Sequence, residues 1–181
     1  MSTKQDEQQT TVLPEGVTAS LDGRTLVVKG KLGQTKKLFD KINVNIATEG
    51  NKIVVGRFSK KKKDRIVMNT VTQLLNNMST GVSKGYTYRL KVVYAHFPIS
   101  VKTKGDSVLV ENFVGERSPR IARIVGDSKV SIDGDDVVVK GVSLEDVGQT
   151  AANIELATKI KRKDQRIFLD GVYIYQKGEG W

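Results

Sequence analysis

The stretch Val130–Gly141, VSIDGDDVVVKG, decides how the chain is read. Apolar and polar residues alternate into an Asp-Gly pair, and a run of valines returns to a glycine, which is the pattern of a β-hairpin. Residues 17–30, VTASLDGRTLVVKG, align with it without a gap at an offset of 111, setting Asp22, Gly23, Val27, Val28, Lys29 and Gly30 on Asp133, Gly134, Val138, Val139, Lys140 and Gly141. Weaker versions follow the same rule at Gly50 with Ile53, Val54 and Val55, and at Gly105 with Val108, Leu109 and Val110. Four hairpins imply a pair of pairs.

Working outward, the second hairpin is followed by Lys60, Lys61, Lys62 and Lys63, then by Val67, Val71, Leu74, Leu75, Met78 and Val82 at helical spacing. Tyr86–Tyr94, YTYRLKVVY, has the aromatic and β-branched content of a strand and reads as the one that closes the first half. The second half repeats the order. Ile99–Thr103 and Val108–Val110 flank a Gly-Asp turn, a basic segment carries Arg117, Arg120 and Arg123, and the hairpin at 130–139 follows. Ser143 with Asp146 three residues on is a capping-box-like helix start, Glu145 and Asp146 suit the helix dipole, and Val147, Ala151 and Ile154 begin its buried stripe. Val172–Tyr175 reads as the closing strand, the counterpart of 88–91 at an offset of 84. Gly23, Gly33 and Gly50 recur as Gly105, Gly115 and Gly134. The expectation is an α+β fold of two tandem similar domains, each a small antiparallel sheet with a packed helix. The boundaries expected are a flexible N-terminal tail at 1–12, a first repeat at 13–95 and a second at 96–181.

Composition bounds the function. With 38% hydrophobic and 28% charged residues the chain has the make-up of a soluble globular protein, and no apolar run approaches the roughly 20 residues needed to cross a bilayer. The polar start, MSTKQDEQQTT, lacks the apolar segment of a secretory signal and points to the cytoplasm. The absence of cysteine excludes disulfides and thiolate metal sites. The net charge of +10 points to a polyanion, most simply nucleic acid. Residues 1–95 hold 17 basic and 7 acidic side chains, whereas 96–181 hold 13 of each. Net charge alone would assign RNA to the first half, but Lys159, Lys161, Arg162, Lys163 and Arg166 cluster in the neutral half.

Enzyme chemistry finds little purchase. His96 is the sole histidine, and it stands beside Phe97 ahead of an apolar strand, where it reads as structural. Asp133, Asp135 and Asp136 lie on a hairpin turn without the spacing or the glutamate of a calcium loop. Gly30-Lys31 is followed by Leu32, which is no phosphate-binding loop. No catalytic residue, cofactor or metal is expected.

The residues Val147-Gly148-Gln149-Thr150-Ala151-Ala152-Asn153-Ile154 and Lys163-Asp164-Gln165-Arg166-Ile167-Phe168-Leu169-Asp170-Gly171-Val172-Tyr173 resemble the C-terminal signature of the large-subunit ribosomal protein family six, in the form similar to its archaeal and eukaryotic branch. The resemblance implies a structural protein of the large ribosomal subunit whose second domain anchors it to rRNA near the sarcin-ricin loop and the factor-binding side. It also implies neighbouring ribosomal proteins and nearby translation factors as partners. Carried onto matching positions, rRNA contact is expected at Gly148, Gln149, Lys159, Lys161, Arg162, Lys163, Arg166 and Lys177, and the charge run of the first half suggests a secondary contact at Lys60, Lys61, Lys62 and Lys63. Lysines and arginines on rigid elements neutralise phosphates and release counterions, so the chemistry agrees. Ordinary roles compete at each place: Gly148 as a close helix-to-sheet contact, the 159–166 cluster as a solvated helix end, and the lysine run as a solvated loop. A free-standing RNA-binding regulator is the alternative, since Lys84-Gly85-Tyr86-Thr87-Tyr88 partly matches the aromatic strand of an RNA-recognition fold. Thr87 and Arg89 break that match, and Tyr86 and Tyr88 read more simply as a sheet face. A scaffold that binds only proteins would not need the basic excess.

Overall fold

Four Gly-X pairs make the hairpin turns. Gly23, Gly50, Gly105 and Gly134 take φ of 60°, 58°, 56° and 58°, and in each case the residues flanking the pair are the last registered partners of the two strands: Asp22 with Thr25, Glu49 with Lys52, Lys104 with Ser107, and Asp133 with Asp136. Glycine at the first position of a two-residue loop is the requirement of a type II′ turn, whose twist matches that of the strands it joins.

The computed structural model describes residues 8–59, 61–161, 163–164 and 166–181, and it divides between Lys84 and Gly85 into two units. The first holds β1 (Gln8–Val12), β2 (Thr18–Asp22), β3 (Thr25–Gly30), β4 (Gly33–Leu38), β5 (Val44–Glu49), β6 (Lys52–Arg57) and α1 (Lys62–Ser83). Two antiparallel sheets, β1-β6-β5 and β2-β3-β4, share one helix. The second holds β7 (Tyr86–Val93), β8 (Ser100–Lys104), β9 (Ser107–Glu111), a 3₁₀ turn (Phe113–Gly115), β10 (Arg120–Arg123), β11 (Lys129–Asp133), β12 (Asp136–Gly141), α2 (Leu144–Ala157) and β13 (Gly171–Glu179). Its sheets run β10-β9-β8 and β11-β12-β7-β13, and α2 packs on both. The α+β class with two helices and small antiparallel sheets is as the sequence predicts.

The boundaries are not. Tyr86–Val93, expected to close the first unit, is instead the central partner of β12 and β13 in the second, with Val139 opposite Tyr88 and Val172 opposite Val92. It is the opening strand of the second unit. Its counterpart in the first is β1, which lies antiparallel beside β6 from Gln8 opposite Gly56 to Val12 opposite Lys52; residues 8–12, expected to be tail, are therefore strand. The last strand of the chain has its supposed counterpart beside it in the same sheet. Strand content is local, whereas the choice of partner depends on which edge the rest of the unit leaves open.

Each core is a helix stripe against strand residues. On α1 the buried positions are Met68, Val71, Leu75, Met78 and Val82, with Val67 and Leu74 only half-buried, so the stripe runs one residue off its expected start. The helix packs on β3 and β6, whose Leu26, Val28, Ile53 and Val55 are fully buried. In the second unit Val147, Ala151 and Ile154 pack with Leu90, Val108, Ala122, Val137, Val139 and Val172. Ser143 caps α2 by accepting from the Asp146 amide at 3.3 Å. Burial of a Leu- or Val-sized side chain stabilises by about 1.5–3 kcal/mol.

Two ties hold the second unit's ends. Gly180 N donates to Gly85 O at 2.9 Å and Thr87 Oγ1 to Gly180 O at 2.5 Å, while the Trp181 indole covers Gly85 so closely that a Cβ there would overlap it. Asp170, 1% exposed, accepts from the amides of Ala95 and His96 and from the His96 ring, which joins the end of β7 to the start of β13. Burial alone would raise the Asp170 pKa, but these hydrogen bonds outweigh it and hold the carboxyl below the usual aspartate range.

Two outcomes are expected. A Cβ on Gly30 would stand 2.6 Å from Val82 O, so Gly30→Ala should lower the unfolding free energy by about 1–3 kcal/mol, whereas Gly56→Ala, with nothing nearer than 3.7 Å, should change it by less than about 0.5 kcal/mol in the same denaturant titration. A depressed folded pKa gives stability that is complete above the unfolded aspartate value of about 3.9 and lost as the pH falls through the folded value. At pH below that range the thermal unfolding temperature should therefore fall, and Asp170→Asn should flatten the acid limb.

Candidate nucleic-acid interface

The main contact residues expected fall in two places of the second unit, and the secondary ones at the start of α1 in the first. The first is the segment between α2 and β13. Lys159, Lys161, Lys163 and Arg166 are exposed there, and among the described residues no ion pair takes up their charge. Lys163 Nζ lies 4.4 Å from the centroid of the Phe168 ring, a cation–π contact that leaves the ammonium available at the surface. The turn that carries Arg166 is organised by Asp164: its side chain accepts from Arg166 N at 2.9 Å, and its carbonyl accepts from Ile167 N at 3.1 Å and Phe168 N at 3.0 Å. Arg162, expected to take part, lies outside the described residues.

Arg120 fixes where this segment leaves the helix. One guanidinium nitrogen donates to Ala157 O at 2.9 Å and Lys159 O at 3.1 Å, carbonyls that the helix itself leaves unpaired at its C-terminal end. The rest of the group makes a two-pronged pair with Glu116, at 2.8 and 2.6 Å, and the guanidinium carbon lies 4.2 Å over the Phe113 ring. That hydrogen bonding lowers the Glu116 pKa against the opposing effect of burial, and the guanidinium charge adds to it. Thr158 completes the join by accepting from Val172 N at 3.0 Å.

The second place is on α2 itself. Gly148 and Gln149 stand on its second turn, about 14 Å along the axis from Ala157. Lys177, directly opposite Tyr88 in the sheet register, sets Nζ 5.6 Å from the Tyr88 ring. The same ring is the nearest neighbour of Gly148, and a Cβ on that glycine would meet it at an ordinary 3.9 Å. Close packing thus does not require glycine at 148. Gln149 is exposed and donates to Asn153 Oδ1 at 2.8 Å, and Asn153 in turn donates to Arg123 O at 2.9 Å. The structure joins Gly148 and Lys177 through Tyr88 and leaves the 159–166 group at the far end of the helix.

In the first unit Lys61 precedes α1 and Lys62 and Lys63 begin it, all exposed; Lys60 lies outside the described residues. Cations at a helix N-terminus oppose its dipole. Asp64 offsets them in the first turn, accepting from Ser59 Oγ.

Sequence reasoning passed over Tyr88 as a partner of Gly148 and Lys177, Arg120 as the clamp, and His96 and Asp170 as a pair. Charge clustering pointed to the cations, but only the signature's own Phe168 and Asp170 hinted at what holds them. Among the described residues no helix is long and apolar enough to cross a membrane, and no three His, Asp or Glu side chains group as metal ligands.

The family model of ribosomal protein L6 matches residues 13–85 and 97–171. The chain is 46% identical over 166 residues to the large ribosomal subunit protein uL6 of Methanocella arvoryzae, covering 91% of this chain and 94% of that one. Against the uL6 of Aeropyrum pernix the identity is 46% over 166 residues, with 91% of each chain covered. Against that of Archaeoglobus fulgidus it is 44% over 181 residues, with 97% and 92% covered. The duplicated strand, hairpin and helix order, the clamped basic segment and these likenesses agree: the chain belongs to the ribosomal protein L6 family.

Proposed function

We propose that the chain is a structural constituent of the large ribosomal subunit that docks on large-subunit rRNA, with no catalysis of its own. The observation that carries the reading is the segment 158–170, which presents Lys159, Lys161, Lys163 and Arg166 to solvent while Arg120 holds its start and Asp170 its end. A preformed cationic segment suits A-form RNA, which is bound through its shape and its phosphates and 2′-hydroxyls, and each neutralised phosphate releases counterions. Gly148 with Lys177 forms a second contact, where the bare backbone at 148 lets a ribose or phosphate approach beside a cation. Lys61, Lys62 and Lys63 supply the secondary contact on the first unit, and Gln149 and Arg162 belong to the same assignment. On the strength of the family resemblance, the docking place we propose is near the sarcin-ricin loop and the factor-binding side, with other large-subunit proteins alongside.

The test is a salt series of the full chain binding to large-subunit rRNA fragments. Replacing Lys159, Lys163 and Arg166 together by alanine should weaken binding and flatten the logarithmic salt slope by about two to three units. The triple alanine substitution of Lys61, Lys62 and Lys63 should flatten it by less. If the first-unit substitution abolishes binding and the second-unit one does not, the anchor lies on α1. If the chain binds these fragments but does not cosediment with assembled large subunits, the free-standing regulator is the correct reading.

A further inference from the structure

One line of contacts runs from the buried Asp170 carboxylate to the Lys163 ammonium. Asp170 Oδ2 lies 2.7 Å from His96 Nδ1, and because the carboxyl is ionised the ring nitrogen carries the hydrogen. The His96 ring, thus fixed in its plane, stacks on Phe168 with centroids 4.7 Å apart and planes at 26°. Lys163 Nζ lies over the same Phe168 ring, 4.4 Å from its centroid. Phe168 is half-buried, and Val110, Phe113 and Ile160 form the small core on which it rests. A lysine side chain on a free stem loses rotamer freedom when it is held. An ammonium already seated over a ring loses less on binding a phosphate.

We propose that His96, held by Asp170, is a positioning residue for RNA: it sets the Phe168 ring as the seat from which Lys163 meets a phosphate of the rRNA backbone. The inference rests on the assignment of the 158–170 segment to rRNA. It goes beyond that assignment by giving the sole histidine a role in binding that a merely structural staple would not have. Neither His96 nor Phe168 is itself a phosphate ligand; both act through Lys163.

The experiment is a double-substitution cycle with the full chain and an rRNA fragment, read as affinity and salt slope. In the unsubstituted chain Lys163→Ala should weaken binding about fivefold and flatten the slope by about one. In the His96→Ala background the same change should cost less than about twofold, while Lys177→Ala, which lies on another strand, costs the same in both. Phe168→Leu leaves the Asp170–His96 pair intact and should cancel the Lys163 effect in the same way, so it carries the test if His96→Ala fails to fold. In the free protein, trypsin cleavage after Lys163 should rise about tenfold in His96→Ala. Equal costs of Lys163→Ala in all three backgrounds overturn the inference and leave the pair a structural staple. If Lys159, Lys161, Lys163 and Arg166 are all silent in the unsubstituted chain, the assignment of the segment to rRNA fails, and this inference falls with it.

Discussion

Both units depend on a strand ending in a glycine against the side of a helix, at a distance that leaves no room for a Cβ. A Cβ on Gly30, at the end of β3, would stand 2.6 Å from Val82 O and 2.8 Å from Val82 Cγ2; on Gly141, at the end of β12, it would stand 2.7 Å from Val147 Cγ2. A unit of this size has one helix with which to cover two small sheets, so the helix must sit low on the strands for Val28 or Val139 to reach its apolar stripe. In the first unit the backbone uses the same approach for a hydrogen bond, since Leu32 N donates to Val82 O at 3.0 Å.

This constraint explains the repeated Val-Val-Lys-Gly, and it also shows that the repeat is not the duplication it resembles. In chain order, and in the sheets they join, β11 and β12 correspond to β5 and β6, while β2 and β3 correspond to β8 and β9. The best sequence match therefore pairs β3 with β12, strands that occupy different places in their units. A half-buried valine, a buried valine, a lysine on the opposite face and then a glycine under a helix is the same local answer to the same local demand. The glycine recurrences at offsets of 82 and 84 report the true equivalence, because they mark turns rather than packing.

What could be read from the sequence was what neighbouring residues determine. Turn glycines with φ near 60° fix the hairpins, helical spacing finds α1 and α2, and the Ser143 cap fixes the start of α2 to the residue. The partner of Tyr86–Val93 was not legible, because the strand faces Gly141 and Glu179 far along the chain. Nor was β1: Gln-Gln-Thr-Thr-Val has one buried residue and no apolar alternation, and it is a strand because β6 offers it an edge. At the interface the cations were visible by type and clustering. Their supports were not, since Arg120 reaches carbonyls 37 and 39 positions away and His96 meets Asp170 at a separation of 74.

The same distinction bears on the anchor we propose in the second unit. The second unit is close to neutral, and four of its acids are engaged within it: Glu116 with Arg120, Glu111 with Lys102, Asp136 with Lys91, and Asp170 with His96 and two amides. The first three of these pairs each also take up a lysine or arginine. Among the described residues Lys159, Lys161, Lys163, Arg166 and Lys177 stand in no ion pair, and they share one unit with the segment and strand that hold them in place. A phosphate within a Debye length of about 8–10 Å responds to these local charges more than to the total. The first unit's larger excess is spread over β3, β4, β6 and the start of α1. A diffuse excess of that kind draws a polyanion toward the protein, whereas a clamped cluster fixes where it is held.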